Sequence, residues 1–113
     1  MTVSVIVPVY NREDTIGKCL DHLVSQRWVK MEVIVIDDCS SDQTAEIASG
    51  YSGQFSDFKL MVNQENKGQA FGLNKGIEKA GGEYILTIDS DYYLQMDSLR
   101  KSVEFLAAQP EDV

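Results

Sequence analysis

The sequence is poor in residues that crosslink or stiffen a small chain. It has two cysteines, two prolines and one histidine in 113 residues. Cys19 and Cys39 form neither a CxxC pair nor a zinc-ligand spacing, so two free thiols in a reducing compartment are expected. His22 has no partner motif and reads as a surface or packed residue. Basic residues are scarce: 10 Lys and Arg stand against 18 Asp and Glu, a net charge of -8. That balance argues against a nucleic-acid backbone or an anionic membrane surface as partner. A phosphate-bearing ligand needs something to offset the repulsion, and a divalent cation is the natural candidate. No long apolar run and no basic leader follow Met1, so neither a signal peptide nor a transmembrane helix is read here. A cytoplasmic location is expected, with membrane association of a longer parent left open. There is no GxxxxGK[ST], which removes the P-loop, and no GxGxxG after the first apolar run, which argues against a dinucleotide-binding fold. Internal repeats, linkers and low-complexity tracts are also lacking.

What remains is an ordinary globular composition, 43% hydrophobic and 25% charged, enough for one compact domain. Residues 3–9 are almost continuously apolar, the pattern of a parallel strand buried on both faces. Asn11 reads as an N-cap for a helix over 12–26 carrying Ile16, Leu20, Leu23 and Val24, with Trp28 packing near its end. Val33-Ile34-Val35-Ile36 is a second strand. A helix starting near Asp42 follows, and then a third strand over 58–62. A helix over 69–80 places Ala70, Leu73, Ile77 and Ala80 on one face, and Gly81-Gly82 stops it. Residues 84–88 form the fourth strand. Asp97 caps a last helix with Leu99, Val103, Phe105 and Leu106, which Pro110 ends. The order βαβαβαβα predicts an α/β fold: a mostly parallel sheet with helices on both faces.

In such a sheet, ligands bind beyond the carboxyl ends of the strands. There the first strand delivers Pro8, Tyr10 and Asn11, the second Asp37 and Asp38, and the fourth Asp89, Ser90 and Asp91. Four carboxylates converging on one edge repel one another unless some cap helices or a cation joins them. Asp42 and Asp97 fit capping; for Asp38 and Asp91 a ligand or metal role is the preferred reading. Asp89 and Asp91 lie two apart, so a turn after the strand can aim both at one ion. Mg²⁺ or Mn²⁺ takes one or two carboxylates and completes its shell with phosphate oxygens and water. The Gly68, Gly72 and Gly76 series reads as close helix packing or local bends.

Four segments, in order and spanning nearly the whole chain, resemble family 2 glycosyltransferases. They are Val3 to Asn11, Asp37-Asp38-Cys39-Ser40-Ser41-Asp42-Gln43-Thr44, Asn66-Lys67-Gly68 with Asn74-Lys75-Gly76, and Gly82-Glu83-Tyr84-Ile85 through Asp89-Ser90-Asp91. The resemblance implies a Rossmann-like GT-A half-fold that binds a nucleotide-diphosphate sugar, with a UDP-sugar as the commonest case. It implies transfer to a saccharide or other hydroxyl acceptor with inversion, in polysaccharide biosynthesis. Pro8 and Tyr10 would then line the base pocket, and Asp38 would accept from the base. Asp89 would sit near ribose or phosphates, and Asp91 would ligate the metal. Lys67, Gly68 and Asn74 would border the donor, although a solvated turn is the preferred reading of Lys67. Leu73 stands where family members often carry Arg, and Tyr92 stands where many carry a further acidic residue. Residues 1–113 are accordingly expected to be the donor-binding part, short of the acceptor half, with the general base beyond Val113. An apolar edge left by the missing half makes self-association an expectation. Two rivals stay open. One is a non-catalytic nucleotide-binding module. The other is a receiver-type phosphoacceptor domain, which wants its acidic pair after the first strand and a later lysine.

Overall fold

The computed structural model describes residues 2–26, 29–95 and 98–107. The readings of Trp28, Asp97 and Pro110 lie outside them. Four strands, β1 (Thr2–Val9), β2 (Lys30–Asp37), β3 (Asp57–Val62) and β4 (Tyr84–Thr87), alternate with α1 (Ile16–Val24), α2 (Thr44–Ser49), α3 (Gln69–Lys79) and α4 (Ser98–Ala107). The strands form one parallel sheet in the order β3-β2-β1-β4, with Val5 beside Val33 and Leu86. The chain builds outward from β1 through β2 to β3, then returns to the far side of β1 as β4. The β1/β4 boundary is therefore the topological switch point, where a crevice opens beyond the strand ends.

The period-2 alternation of β1 and β2 sorts their side chains onto two faces. Val3, Val5, Val7, Val33 and Val35 pack with Ile16, Leu20 and Leu23 of α1, Ala48 of α2 and Leu99 of α4. Ile6, Ile34 and Ile36 face the opposite way, against Leu73 and Ala80. Helices thus cover both faces, and the continuous apolar character of β1 and β2 follows from that double burial. The edge strands carry less cover: Val62 of β3 and Ile85 of β4 remain about half exposed.

Helix α3 seats only part of the apolar stripe that its sequence offers: Leu73 and Ala80 pack on the sheet, and Ile77 does not. Ile77 is 47% exposed, whereas Gly72 and Gly76 are buried. A Cβ on Gly76 would lie 2.6 Å from Ile6 Cγ2, and one on Gly72 3.2 Å from Ile36 Cγ2. The two glycines form a flat strip on which the helix approaches the sheet. Gly76→Ala is expected to destabilise the fold by about 1–3 kcal/mol despite alanine's better helix propensity, because Ile6 is β-branched and fully enclosed. Gly72→Ala, with the looser contact, should cost less. Urea denaturation of both variants measures the difference.

Helix α1 also begins later than its sequence signals. Asn11 has φ of 49° and caps no helix; α1 starts at Ile16, after a turn closed by Thr15 N and Ile16 N on Arg12 O. The amides that would have opened the helix are already engaged. Asn11 N donates to Ser40 Oγ (2.8 Å), Arg12 N to Thr44 Oγ1 (2.9 Å) and Glu13 N to Asp42 Oδ2 (3.2 Å). Among the described residues, no helix is long and apolar enough to cross a membrane.

Candidate functional site

These bonds between the β1–α1 and β2–α2 loops account for much of the Asp37–Thr44 motif. Asp37 is 1% exposed, and its carboxylate takes Ser40 N (3.1 Å) and the Ser40 hydroxyl. Asn11 Oδ1 accepts from Ser41 N (2.8 Å). Asp42 Oδ1 accepts from the Thr44 hydroxyl and from Thr44 N (2.9 Å) at the entrance to α2, and these bonds, the hydroxyl's first, draw its carboxyl below the usual range. Cys39 sits at φ of 65°, a left-handed conformation that a side chain adopts only under such constraint. The loops are stapled rigidly, and Asn11 and Asp37 are staples in this arrangement.

The staples frame a cleft of about 320 Å³ at the carboxyl ends of β1 and β2, beside the segment after β4. Pro8 and Tyr10 bring one wall, Asp38 the floor beside β2, Gly68 the N-terminal end of α3, and Asp89, Ser90 and Asp91 the far wall. Tyr10 is 45% exposed, so its ring is free to stack on a flat ligand. Asp38 is buried and held by three donors. Oδ1 accepts from Lys67 N (2.7 Å) and Asn63 Nδ2 (2.9 Å), and Oδ2 from Gly68 N (2.9 Å). Burial pushes this carboxyl up, yet the bonds from Lys67 N, Asn63 and Gly68 N outweigh it and hold it below its ordinary value. Gly68 manages its part of the cradle with φ of 89°, which favours glycine.

Asp89 and Asp91 differ from Asp38. Both are exposed, and neither carboxylate takes a hydrogen bond or ion pair among the described residues. The negative charge of Asp91 is nevertheless felt nearby. Burial first, and then Asp91, push the Cys19 thiol up to about 12, so Cys19 stays a neutral, unreactive thiol. Lys67 does not line the cleft; its backbone amide holds Asp38, and its ammonium pairs with Glu65 and lies 5.8 Å from the Phe71 ring. Asn74 is exposed on α3 and does not line the cleft.

The sequence as a whole decides the family. The model of glycosyl transferase family 2 matches residues 4–113. The chain belongs to that family. It is 35% identical to the poly(ribitol-phosphate) beta-glucosyltransferase of Bacillus spizizenii over all of its own length and 18% of that protein's. The structure of S. aureus TarS 1-349 in complex with UDP-GlcNAc superposes with a TM-score of 0.89 at 35% identity, over 95% of this chain and 31% of that one. The mannosyltransferase PcManGT from Pyrobaculum calidifontis, in complex with GDP-Man and Mn2+, gives 0.87 at 30% identity, over 96% and 32%. The chain thus spans less than a third of each of these three relatives.

The donor set of this glycosyl transferase family 2 chain suits a cation that arrives with its ligand. Among the described residues, no three His, Cys, Asp or Glu side chains gather into a group able to hold a metal ion. Two unpartnered carboxylates at a cleft wall are what a hard cation takes when phosphate oxygens and water complete its shell. The cleft also holds two residues that sequence reasoning passed over, Arg12 and Gln69. Among the described residues, Arg12 is the one cationic residue that lines it. Its signal was available in its position directly after Tyr10-Asn11, but the expected helix over 12–26 made it only the first helical residue.

Proposed function

We propose that the chain is the donor-binding part of a glycosyltransferase that takes a sugar from a nucleotide diphosphate, with a UDP-sugar as donor. The observation that carries this reading is the cleft itself. A half-exposed aromatic ring, a buried and fixed carboxylate, and a pair of unpartnered carboxylates lie along one switch-point crevice. The complexes of the two structural relatives with UDP-GlcNAc and with GDP-Man and Mn2+ support the ligand class.

In this reading Tyr10 stacks on the base and Pro8 closes its edge. Asp38 accepts a base N–H. The N-terminal turn of α3 that follows Gly68 and the side chain of Arg12 face the phosphates. Asp89 and Asp91 hold Mn²⁺ or Mg²⁺, which when bound offsets the charge of the diphosphate as it leaves. Arg12 supplies the cationic contact for which Leu73, in place of arginine, offers none. Transfer proceeds by single displacement. The acceptor hydroxyl oxygen forms a bond to the anomeric carbon, the bond to the diphosphate oxygen breaks with its electron pair, and a base takes the hydroxyl proton. Asp38 is committed to the Lys67 and Gly68 amides, and Asp89 and Asp91 to the cation, so the base comes from the portion of such enzymes that this chain does not span.

Calorimetric titration with UDP, UMP and uridine, with and without Mn²⁺, tests the reading. Affinity is expected to rise from uridine to UDP, and only the UDP step should depend strongly on the metal. Equal binding of all three, indifferent to Mn²⁺, would contradict it. Arg12→Ala is expected to weaken UDP by about tenfold while leaving uridine unchanged, since a charge-assisted phosphate contact contributes about 1.5 kcal/mol.

A further inference from the structure

Asp38 is held by three donors, and only one of them is a side chain. Asn63 directly follows β3 and is 5% exposed. Its backbone amide donates to Asp37 O at 2.8 Å, which fixes the residue to the end of β2, and its Nδ2 donates to Asp38 Oδ1 at 2.9 Å. An ionised carboxylate offers about four lone-pair sites. Asn63, Lys67 N and Gly68 N take three of them. One acceptor site is left on a residue that lines the cleft.

We infer that Asn63 is a positioning residue that locks the orientation of Asp38, so that its one remaining acceptor site selects a base with an N–H at the centre of its pairing edge. The inference rests on the nucleotide reading of the cleft. Uracil presents N3–H there, whereas cytosine presents a bare N3 acceptor and carries its N4–H₂ donor to one side, so the locked carboxylate favours UDP over CDP. Lys67 N and Gly68 N steady Asp38 from the α3 side only. Without Asn63 the Lys67 and Gly68 amides still hold the two oxygens, but Oδ1 gains a second open acceptor site, and the preference weakens.

The test is Asn63→Asp, which keeps the size of the side chain and replaces a donor with a second carboxylate. Two adjacent carboxylates share a proton: apart from it they repel, and with it one donates to the other as Asn63 does. The unaltered protein should prefer UDP to CDP by about tenfold, with little change between about pH 5 and pH 8. Asn63→Asp should bind UDP about tenfold more weakly near pH 8 and recover toward pH 5. In the same variant, without nucleotide, the Lys67 and Gly68 amide resonances should titrate in that range, and in the unaltered protein they should not. Dispersed spectra confirm that the variant is folded. Wild-type affinity at both pH values, with flat Lys67 and Gly68 resonances, would overturn the inference. If the unaltered protein binds no nucleotide, the reading of the cleft falls, while the amide titration alone decides whether Asn63 governs Asp38.

Discussion

Asp91→Ala is expected to remove the Mn²⁺-dependent part of UDP binding, a loss of about a hundredfold or roughly 3 kcal/mol. The protein carries a net charge of -8, and a diphosphate brings more negative charge to a cleft already lined by Asp38, Asp89 and Asp91. Without a cation these charges repel. With one, the exposed and unpartnered carboxylates of Asp89 and Asp91 change from a liability into ligands. Removing one of the two leaves the ion a single protein anchor. Uridine binding, which depends on Tyr10 and Asp38, should be untouched. Calorimetry of the variant with both ligands separates the two contributions. A variant that keeps full metal dependence would move the cation site elsewhere.

The second large effect lies at the opposite end of the sheet and concerns stability. Glu32 of β2 is 5% exposed and accepts from Ser4 Oγ (2.7 Å), Gly81 N (2.9 Å) and the Lys59 ammonium. Ser4 Oγ in turn accepts from Gly82 N (2.8 Å), so this one carboxylate ties the α3–β4 turn to three strands. Burial pushes the Glu32 carboxyl up, but the Gly81 amide, Lys59 and Ser4 together bring it down to about 2. Its folded value lies below the unfolded value of 4.5. The contribution to stability is therefore complete above about pH 4.5 and is lost as the pH falls through about 2. Glu32→Gln should cost about 2–3 kcal/mol at neutral pH, a figure kept modest because Lys59 is half exposed and screened. The gap between variant and parent should close as the pH falls from about 4.5 to 2. Urea denaturation at several pH values checks both the size and the direction.

How far the sequence discloses this molecule depends on the range of the interactions involved. The strands β1 and β2 were legible because burial on both faces writes itself into consecutive residues. The carboxylates of the cleft were legible because strand ends in a parallel sheet share one edge. Glu32, by contrast, carries no motif, since Ser4, Lys59 and Gly81 are each distant in sequence. The start of α1 was misread at Asn11 for the same reason. Residues 40–44 take the Asn11, Arg12 and Glu13 amides from about thirty positions away, and no local capping rule registers that competition. Helix α3 misled in a different way. Its apolar stripe runs through Ile77, but the sheet takes Leu73, Ala80 and the glycine strip instead, because Ile6 and Ile36 come too close to Gly76 and Gly72 for larger side chains there. Asp38 was legible as a site residue, whereas Asn63, which holds it, carried no motif.

The central claim is a diphosphate and its cation at Asp89 and Asp91, with the base at Tyr10 and Asp38. Paramagnetic broadening by Mn²⁺ in the presence of UDP, read on the backbone amides, tests it most directly. The account predicts selective loss of the signals of residues 89–91 and of Arg12 and Gly68, with those at Glu32 and Gly81 preserved. Broadening that spares residues 89–91 while UDP is bound would contradict it.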